Sequence, residues 1–187
     1  MSGVVDGCRL FKLPAELRNR IYRLTLVTSD EASPIQITKS GHERSRLLDT
    51  CKIIRSEALG IYYQENRFAI FIQDYGSSDM LKWFNMMKQL GHDTSKISVA
   101  IDIDWFGVSW RNLRQWLRRA HNRERVARPM SPERLLELCE GHPVIHLIGG
   151  MFATAVGMRG QPWSMVEPLL DIWRPSLVTT HAGWKED

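Results

Sequence analysis

Residues 11–27 read Phe-Lys-Leu-Pro-Ala-Glu-Leu-Arg-Asn-Arg-Ile-Tyr-Arg-Leu-Thr-Leu-Val and are the most informative stretch of the chain. Leu17, Ile21 and Leu24 are spaced i, i+4, i+7, which places them on one stripe of an amphipathic helix. Pro14 suits the first turn of such a helix, where a backbone N–H has no partner within the helix. The pattern therefore predicts a helix from about Pro14 to Val27.

The apolar stripe of this helix contains no nucleophile, metal ligand or phosphate-binding loop. Its residue types favour docking, and two surfaces could receive it. One is the protein's own core, where the stripe would pack on a second predicted helix at Leu47–Ile61. The other is a separate protein, and the spacing alone leaves both interpretations open.

Length and composition are those of an ordinary globular protein. The chain has 187 residues, 43% of them hydrophobic and 25% charged, enough for one domain or for one domain with a small appendage. The net charge of +4 is weak evidence for a polyanionic partner.

Three widely spaced cysteines argue against a disulfide framework. With no secretory signal and no apolar run of about 18 residues, we expect an intracellular protein, cytoplasmic or nuclear, without membrane contact.

The first half of the chain predicts an α+β fold. Helices at Pro14–Val27 and Leu47–Tyr63 are expected to pack on a small sheet. The clearest strand is Ile97–Ile103, where apolar and polar residues alternate as in a half-buried strand. The other elements predicted here are a short strand at Ile35–Ile37, a strand buried on both faces at Phe68–Ile72, and a helix at Ser78–Leu90 that Gly91 ends.

The second half is predicted to be rich in helices. Residues 144–156 are apolar but contain Gly149 and Gly150, so helix and strand both remain possible there. The tail from Pro175 is expected to be loose. The remaining predicted helices are Trp110–Val126, Glu133–Cys139 with Ser131 as its N-cap, and Pro162–Ile172, which Pro168 would cut or kink.

Two segments together resemble a known family. Residues 13–22, Leu-Pro-Ala-Glu-Leu-Arg-Asn-Arg-Ile-Tyr, resemble the opening of an F-box, whose pattern begins Leu-Pro-x-Glu-Leu. Residues 47–68 contain Arg-Ser-Glu-Ala and then Tyr-Tyr-Gln-Glu-Asn-Arg-Phe, and are similar to the second segment of filamentous-fungal F-box-like proteins. The resemblance covers about residues 11–72 and extends weakly towards residue 105.

This resemblance implies a function in protein interaction. F-box domains bind the Skp adaptor of cullin-based ubiquitin ligases through an apolar helical surface, and a separate C-terminal region selects a substrate. The implied organisation is an F-box-like α+β domain at residues 1–105 and a helical region at residues 106–187, separate or part of the same domain. The residues that match the pattern, and so would bind the adaptor, are Leu13, Pro14, Leu17, Ile21 and Leu24.

A second hypothesis concerns the arginine-rich predicted helix at residues 110–128. Seven arginines fall within eighteen residues there, opposed only by Glu124. Arginine interleaved with tryptophan can grip phosphates and stack on bases. The alternative to a nucleic-acid or other polyanion site is a solvated helix face with its counter-charges elsewhere in the fold. The candidate polyanion-binding residues are Arg111, Arg114, Arg118, Arg119 and Arg125.

Charged residues also lie in the two N-terminal helices. Glu16 and Arg18 in the first, and Arg55 and Glu57 in the second, could form a polar contact surface for a partner. The favoured interpretation is that they form ion pairs between the two helices. Buried pairs of this kind need nearly complete hydrogen bonding to offset desolvation.

Candidates for chemistry are few. His142 and His146 are four residues apart with Cys139 nearby, but Pro143 makes a continuous helix through them unfavourable. Asp102 and Asp104 share one face of a predicted strand, where the polar side of a half-buried strand also explains them. No nucleophile, phosphate-loop or dinucleotide motif is present. We therefore expect a non-enzymatic protein without metal or cofactor.

Overall fold

Residues 8–104, 107–124 and 143–185 are described by the computed structural model, which has an α+β fold. The chain forms two compact units. The N-terminal unit contains Met1–Ile70 and Met87–Ile101, and the C-terminal unit contains Phe71–Met86 and Asp102–Asp187. The units interleave along the chain, so neither is one contiguous stretch. The domain boundary predicted after residue 105 stays a prediction.

The described residues form helices and one small parallel sheet whose strand order is β1-β2-β3. In the first strand pair, Ile35 lies opposite Phe68 and Ile37 opposite Ile70. The strands are β1 (Ile35–Ile37), β2 (Arg67–Ile72) and β3 (Ser98–Ile103). The α-helices of the described residues are α1 (Ala15–Leu26), α2 (Leu47–Thr50), α3 (Lys52–Glu65), α4 (Ser78–Gln89), α5 (Trp110–His121), α6 (Pro143–Gly157), α7 (Trp163–Asp171) and α8 (Arg174–Thr180).

The elements with clear periodicity are confirmed. The first helix, the short strand at Ile35–Ile37 and the helix ending before Gly91 all form within one or two residues of the predicted bounds. The two longer predicted strands are neighbours in one sheet. Side chains of β3 alternate between exposed and half-buried, as a strand with one covered face requires. In β2, Phe71 is exposed, so this strand is not buried along all of both faces.

The single long helix predicted from Leu47 to Tyr63 is wrong, because the chain breaks at Cys51. This residue has extended backbone angles (φ −155°, ψ 164°) and separates α2 from α3. Its sulfur accepts a hydrogen bond from the N–H of Ile54 at 3.5 Å, which makes Cys51 the N-cap of α3. The apolar spacing continues through the break, so periodicity alone could not reveal it.

The core of the N-terminal unit lies between α1, α3 and β2. Tyr22 and Leu26 of α1 and Phe68 of β2 are completely buried. The ring of His42, from the segment before α2, packs against Tyr62, Tyr63 and Phe68, with ring centroids 5.6 to 6.1 Å apart. Aromatic packing therefore holds this segment to α3 and β2.

In the C-terminal unit, the apolar stretch left open as helix or strand is a helix, α6. Gly150 allows the close approach of Trp173, because a Cβ at this position would lie 3.1 Å from the indole ring. Pro168 lies inside α7 without ending it. The helix predicted to end at Val126 ends at His121. The prediction of a helix at Glu133–Cys139 with Ser131 as N-cap lies outside the described residues.

The prediction of a loose C-terminal tail is wrong. The tail forms α8 and a short 3-10 helix at Ala182–Lys185, and Trp184 is buried against the ring of Tyr75 with centroids 5.6 Å apart. The guanidinium of Arg174 donates to the carbonyl of Trp184 at 3.1 Å and lies 5.4 Å from the centre of the Trp110 ring. Burial of one large side chain thus orders a segment with little local signal.

Candidate protein-interaction site

Helix α1 has two apolar faces with different surroundings. Tyr22 and Leu26 lie on the inner face and are completely buried. Leu17, Ile21 and Leu24 lie on the other face and are 47%, 38% and 80% exposed. The interpretation that this stripe packs in the protein's own core is therefore wrong. The three side chains form an apolar surface, which we call the α1 stripe.

The other two predicted partner-binding residues lie just before the helix. Pro14 is exposed and Leu13 is half-buried. The carbonyl of Pro14 accepts hydrogen bonds from the N–H groups of Leu17 and Arg18, both at 3.1 Å, and so begins the helix. The chain thus brings Pro14 to the end of the helix that carries the α1 stripe.

A hydrogen-bonded ion pair holds α1 on α3. The guanidinium of Arg18 donates two hydrogen bonds to the Glu57 carboxylate, at 2.9 and 2.6 Å, and the Tyr22 hydroxyl donates a third at 2.9 Å. These bonds, from Arg18 first, lower the pKa of Glu57, whereas burial above all raises the pKa of Tyr22 to about 12. The predicted ion pairing between the helices is confirmed for Arg18 and Glu57.

The other charged residues predicted to join that pairing lie elsewhere. Arg55 donates to the carbonyl of Leu48 at 2.8 Å and lies 3.6 Å from the Asp49 carboxylate, so it holds α2 against α3. Glu16 is exposed. A further pair joins α1 and α3, because the Arg23 guanidinium donates to both carboxylate oxygens of Glu65 at 2.9 Å.

Asn66 connects the ends of α1 and α3. Its side-chain oxygen accepts from the N–H groups of Thr28 and Ser29, at 3.0 and 3.1 Å, and from the Ser29 hydroxyl at 2.9 Å. Its side-chain nitrogen donates to the carbonyls of Leu26 and Tyr62, at 2.7 and 2.9 Å. The sequence alone does not reveal this role of Asn66, since none of its long-range partners has a local signal.

The candidate polyanion-binding arginines do not all face one way. Arg111, Arg114 and Arg118 are exposed on α5 and share a face by their spacing. Arg114 pairs with Glu167 at 3.3 Å. Arg119 instead donates to the hydroxyls of Ser77 and Ser78, at 2.7 and 3.2 Å. Arg125 lies outside the described residues, and the polyanion hypothesis stays a prediction.

The candidates for chemistry differ in exposure. Asp102 is exposed, Asp104 is half-buried, and His146 is exposed. His142 and Cys139 lie outside the described residues. Within residues 8–104, 107–124 and 143–185, no three His, Cys, Asp or Glu side chains are placed to hold a metal ion. Across the same residues, no helix is both long and apolar enough to cross a bilayer.

Three histidines with lowered pKa values should make the folded protein less stable in acid. Burial lowers the pKa of His42, His92 and His121, and for His121 the nearby Arg159 adds to the effect. The unfolded chain, with an ordinary histidine pKa near 6.5, then binds more protons than the folded chain. We expect the melting temperature to fall as pH drops from 7 to 5, measured by circular dichroism.

The variant His121→Phe tests this expectation. His121 is 6% exposed and neither ring nitrogen has a hydrogen-bond partner in the described part of the chain, so phenylalanine fills the site without an unsatisfied polar atom. We expect the melting temperature of this variant to fall less between pH 7 and 5 than that of the wild type. The same substitution at an exposed histidine, His146→Phe, controls for the general effect of introducing a phenylalanine. If the melting temperatures of His121→Phe and the wild type fell equally with pH, His121 would not contribute to the loss of stability in acid.

Comparisons with protein-family models, with curated proteins and with solved structures found no match to this chain.

Proposed function

We propose that the protein is a non-enzymatic interaction module in which residues 11–63 present an F-box-like surface to a Skp-type adaptor of a ubiquitin ligase. The exposure of the α1 stripe is the observation that carries this proposal. The contact would use Leu13, Pro14, Leu17, Ile21 and Leu24, the positions that match the F-box pattern. The region after residue 105 would contact a second protein.

The energy of such a contact would come from burying apolar side chains. Full burial of a large aliphatic side chain stabilises a complex by about 1.5–3 kcal/mol. Leu24 and Leu17 expose the larger fractions of the stripe and so have the most surface to bury. Two such side chains together would decide whether a complex survives at micromolar concentrations.

The helix that carries the α1 stripe is held in place by contacts on its other face. Tyr22 and Leu26 pack into the core, and the Arg18–Glu57 ion pair joins α1 to α3. A partner would therefore meet a preformed surface and lose little free energy in ordering it. This rigidity favours a docking role for the stripe.

Leu24→Asp is expected to weaken binding to a purified Skp-type adaptor by about 30-fold or more. The change removes apolar contact and places a carboxylate where the adaptor would exclude water. Because Leu24 is largely exposed in the free chain, the fold should be unaffected. Isothermal titration calorimetry measures the affinity, and circular dichroism checks the fold.

Leu90→Asp is the matched control. Leu90 is another exposed leucine of the N-terminal unit, and it lies outside the α1 stripe. This variant should bind the adaptor as the wild type does. Failure of the wild type to bind, or wild-type affinity in folded Leu24→Asp, would overturn the adaptor proposal.

A further inference from the structure

The three arginines of α1 differ in whether their charge is paired. Arg18 pairs with Glu57 of α3 at 2.6 Å. Arg23 pairs with Glu65 of the same helix at 2.9 Å. Arg20 is exposed, and its guanidinium makes no hydrogen bond or ion pair in the described part of the chain. The fold therefore uses two of these charges and leaves that of Arg20 available.

Arg20 adjoins the α1 stripe. It lies three residues after Leu17 and four residues before Leu24, the two spacings that make side chains neighbours on a helix surface. With about 3.6 residues per turn, Arg20 is only about 40° from Leu24 around the helix axis. On the opposite border of the stripe, the corresponding neighbour of Ile21 is Thr25, which is uncharged. Arg20 is therefore the charged residue of α1 nearest to the stripe.

The border of the predicted contact surface is positive. Lys12 is exposed and precedes Leu13, and among the described residues it has no ion pair. The acidic residue of α1 is Glu16, which is exposed and lies on the side of Arg20 away from Leu24. No ion pair joins Glu16 to Arg20 within the described chain. Two available cations against one more distant carboxylate leave this border with an excess of positive charge.

We propose that the partner covering the α1 stripe has an apolar groove with carboxylate groups on its rim, and that Arg20 selects this partner by pairing with one of them. Such a role for Arg20 rests on the proposed docking of the stripe and adds the charge of the partner's surface to it. Apolar contact through Leu17 and Leu24 is not directional, so it accepts many apolar surfaces. A charge beside them favours partners of opposite charge and repels partners of like charge.

A charge at the rim of an interface acts mainly on the rate of association. Opposite charges steer the partner before the surfaces meet, whereas apolar contacts act only after they have met. Salt screens this steering, with a Debye length of about 10 Å at 0.1 M ionic strength. The contribution of Arg20 should therefore fall on association and should weaken as salt rises.

Surface plasmon resonance with the full chain and a purified Skp-type adaptor measures these rates. At about 50 mM salt, Arg20→Glu should associate about tenfold more slowly than the wild type, while its dissociation rate changes by less than about twofold. At about 500 mM salt, the two association rates should agree within about twofold. Arg20→Lys keeps the charge and should associate within about twofold of the wild type at both salt concentrations.

Lys88→Glu is the matched control for the change in net charge. Lys88 is exposed in the last turn of α4, belongs to the N-terminal unit and has no ion pair among the described residues. This variant should associate with the adaptor within about twofold of the wild type. Circular dichroism should show the wild-type fold for each variant, because neither Arg20 nor Lys88 has an ion pair to lose.

Equal association rates of Arg20→Glu and Lys88→Glu at low salt would overturn selection by Arg20 and leave docking of the stripe standing. An equal loss at both salt concentrations would also overturn it, because the effect would then come from packing rather than charge. A wild type that does not bind the adaptor would instead overturn the adaptor proposal and selection by Arg20 together.

Discussion

Asn66→Ala is expected to lower the free energy of unfolding by about 4 kcal/mol. Asn66 is 1% exposed, and its amide makes five hydrogen bonds, four of them to backbone groups at the ends of α1 and α3 and in the segment after α1. Alanine would leave several of these groups buried without partners, and each costs about 1–3 kcal/mol. Some of these groups would be hydrated again, so the loss of stability should be smaller than the sum of the individual costs.

Urea unfolding followed by circular dichroism measures this change. Asn85→Ala is the matched control, because Asn85 is exposed on α4 and should change stability by less than about 0.5 kcal/mol. A loss below about 1 kcal/mol in Asn66→Ala would show that the amide does not join the two helix ends as described. The α1 stripe depends on this junction, since Asn66 holds the end of the helix that carries it.

Trp184→Ala is expected to lower the free energy of unfolding of the C-terminal unit by about 4 kcal/mol. The indole is 1% exposed, packs against Tyr75, and belongs to the last ordered segment of the described chain. Truncating a buried tryptophan removes its burial and leaves a cavity, which typically costs about 3–5 kcal/mol. We also expect the near-ultraviolet circular dichroism spectrum to change, because Tyr75 loses its aromatic neighbour.

Lys185→Ala provides the comparison for Trp184→Ala. Lys185 is the next residue and is exposed, and its carbonyl, which accepts from Arg174 at 3.3 Å, is retained in the variant. Thermal unfolding of this control should match the wild type. A wild-type melting temperature in Trp184→Ala would mean that the C-terminal tail contributes nothing to stability, as its sequence alone had suggested.

Local periodicity was enough to predict most of the elements and the α+β class. The alternation in β3 and the helical spacing in α1 depend only on which side chains recur every two or every three to four residues. Their bounds were therefore close to those observed. The break at Cys51 escaped because α2 and α3 keep the same apolar spacing on both sides of it.

The candidate site was only half determined by periodicity. The spacing of Leu17, Ile21 and Leu24 placed them on one face of α1, but it also allowed that face to be core. Tertiary packing decided the question, because Tyr22 and Leu26 fill the contact with the core and Arg18 reaches Glu57. Which of two apolar faces is buried depends on the surface offered by distant residues.

By itself, the sequence determined most of the helices, the strands and the residues that share a face, since these follow from backbone geometry and nearest neighbours along the chain. Only the tertiary structure decided which face of α1 is exposed, that Asn66 joins two helix ends, and that Trp184 orders the tail. It also brought the segment at Thr38–Arg46 and strand β1 together as walls of one groove. These features depend on contacts between residues far apart in the chain, whose free energy has no periodic signature in the sequence.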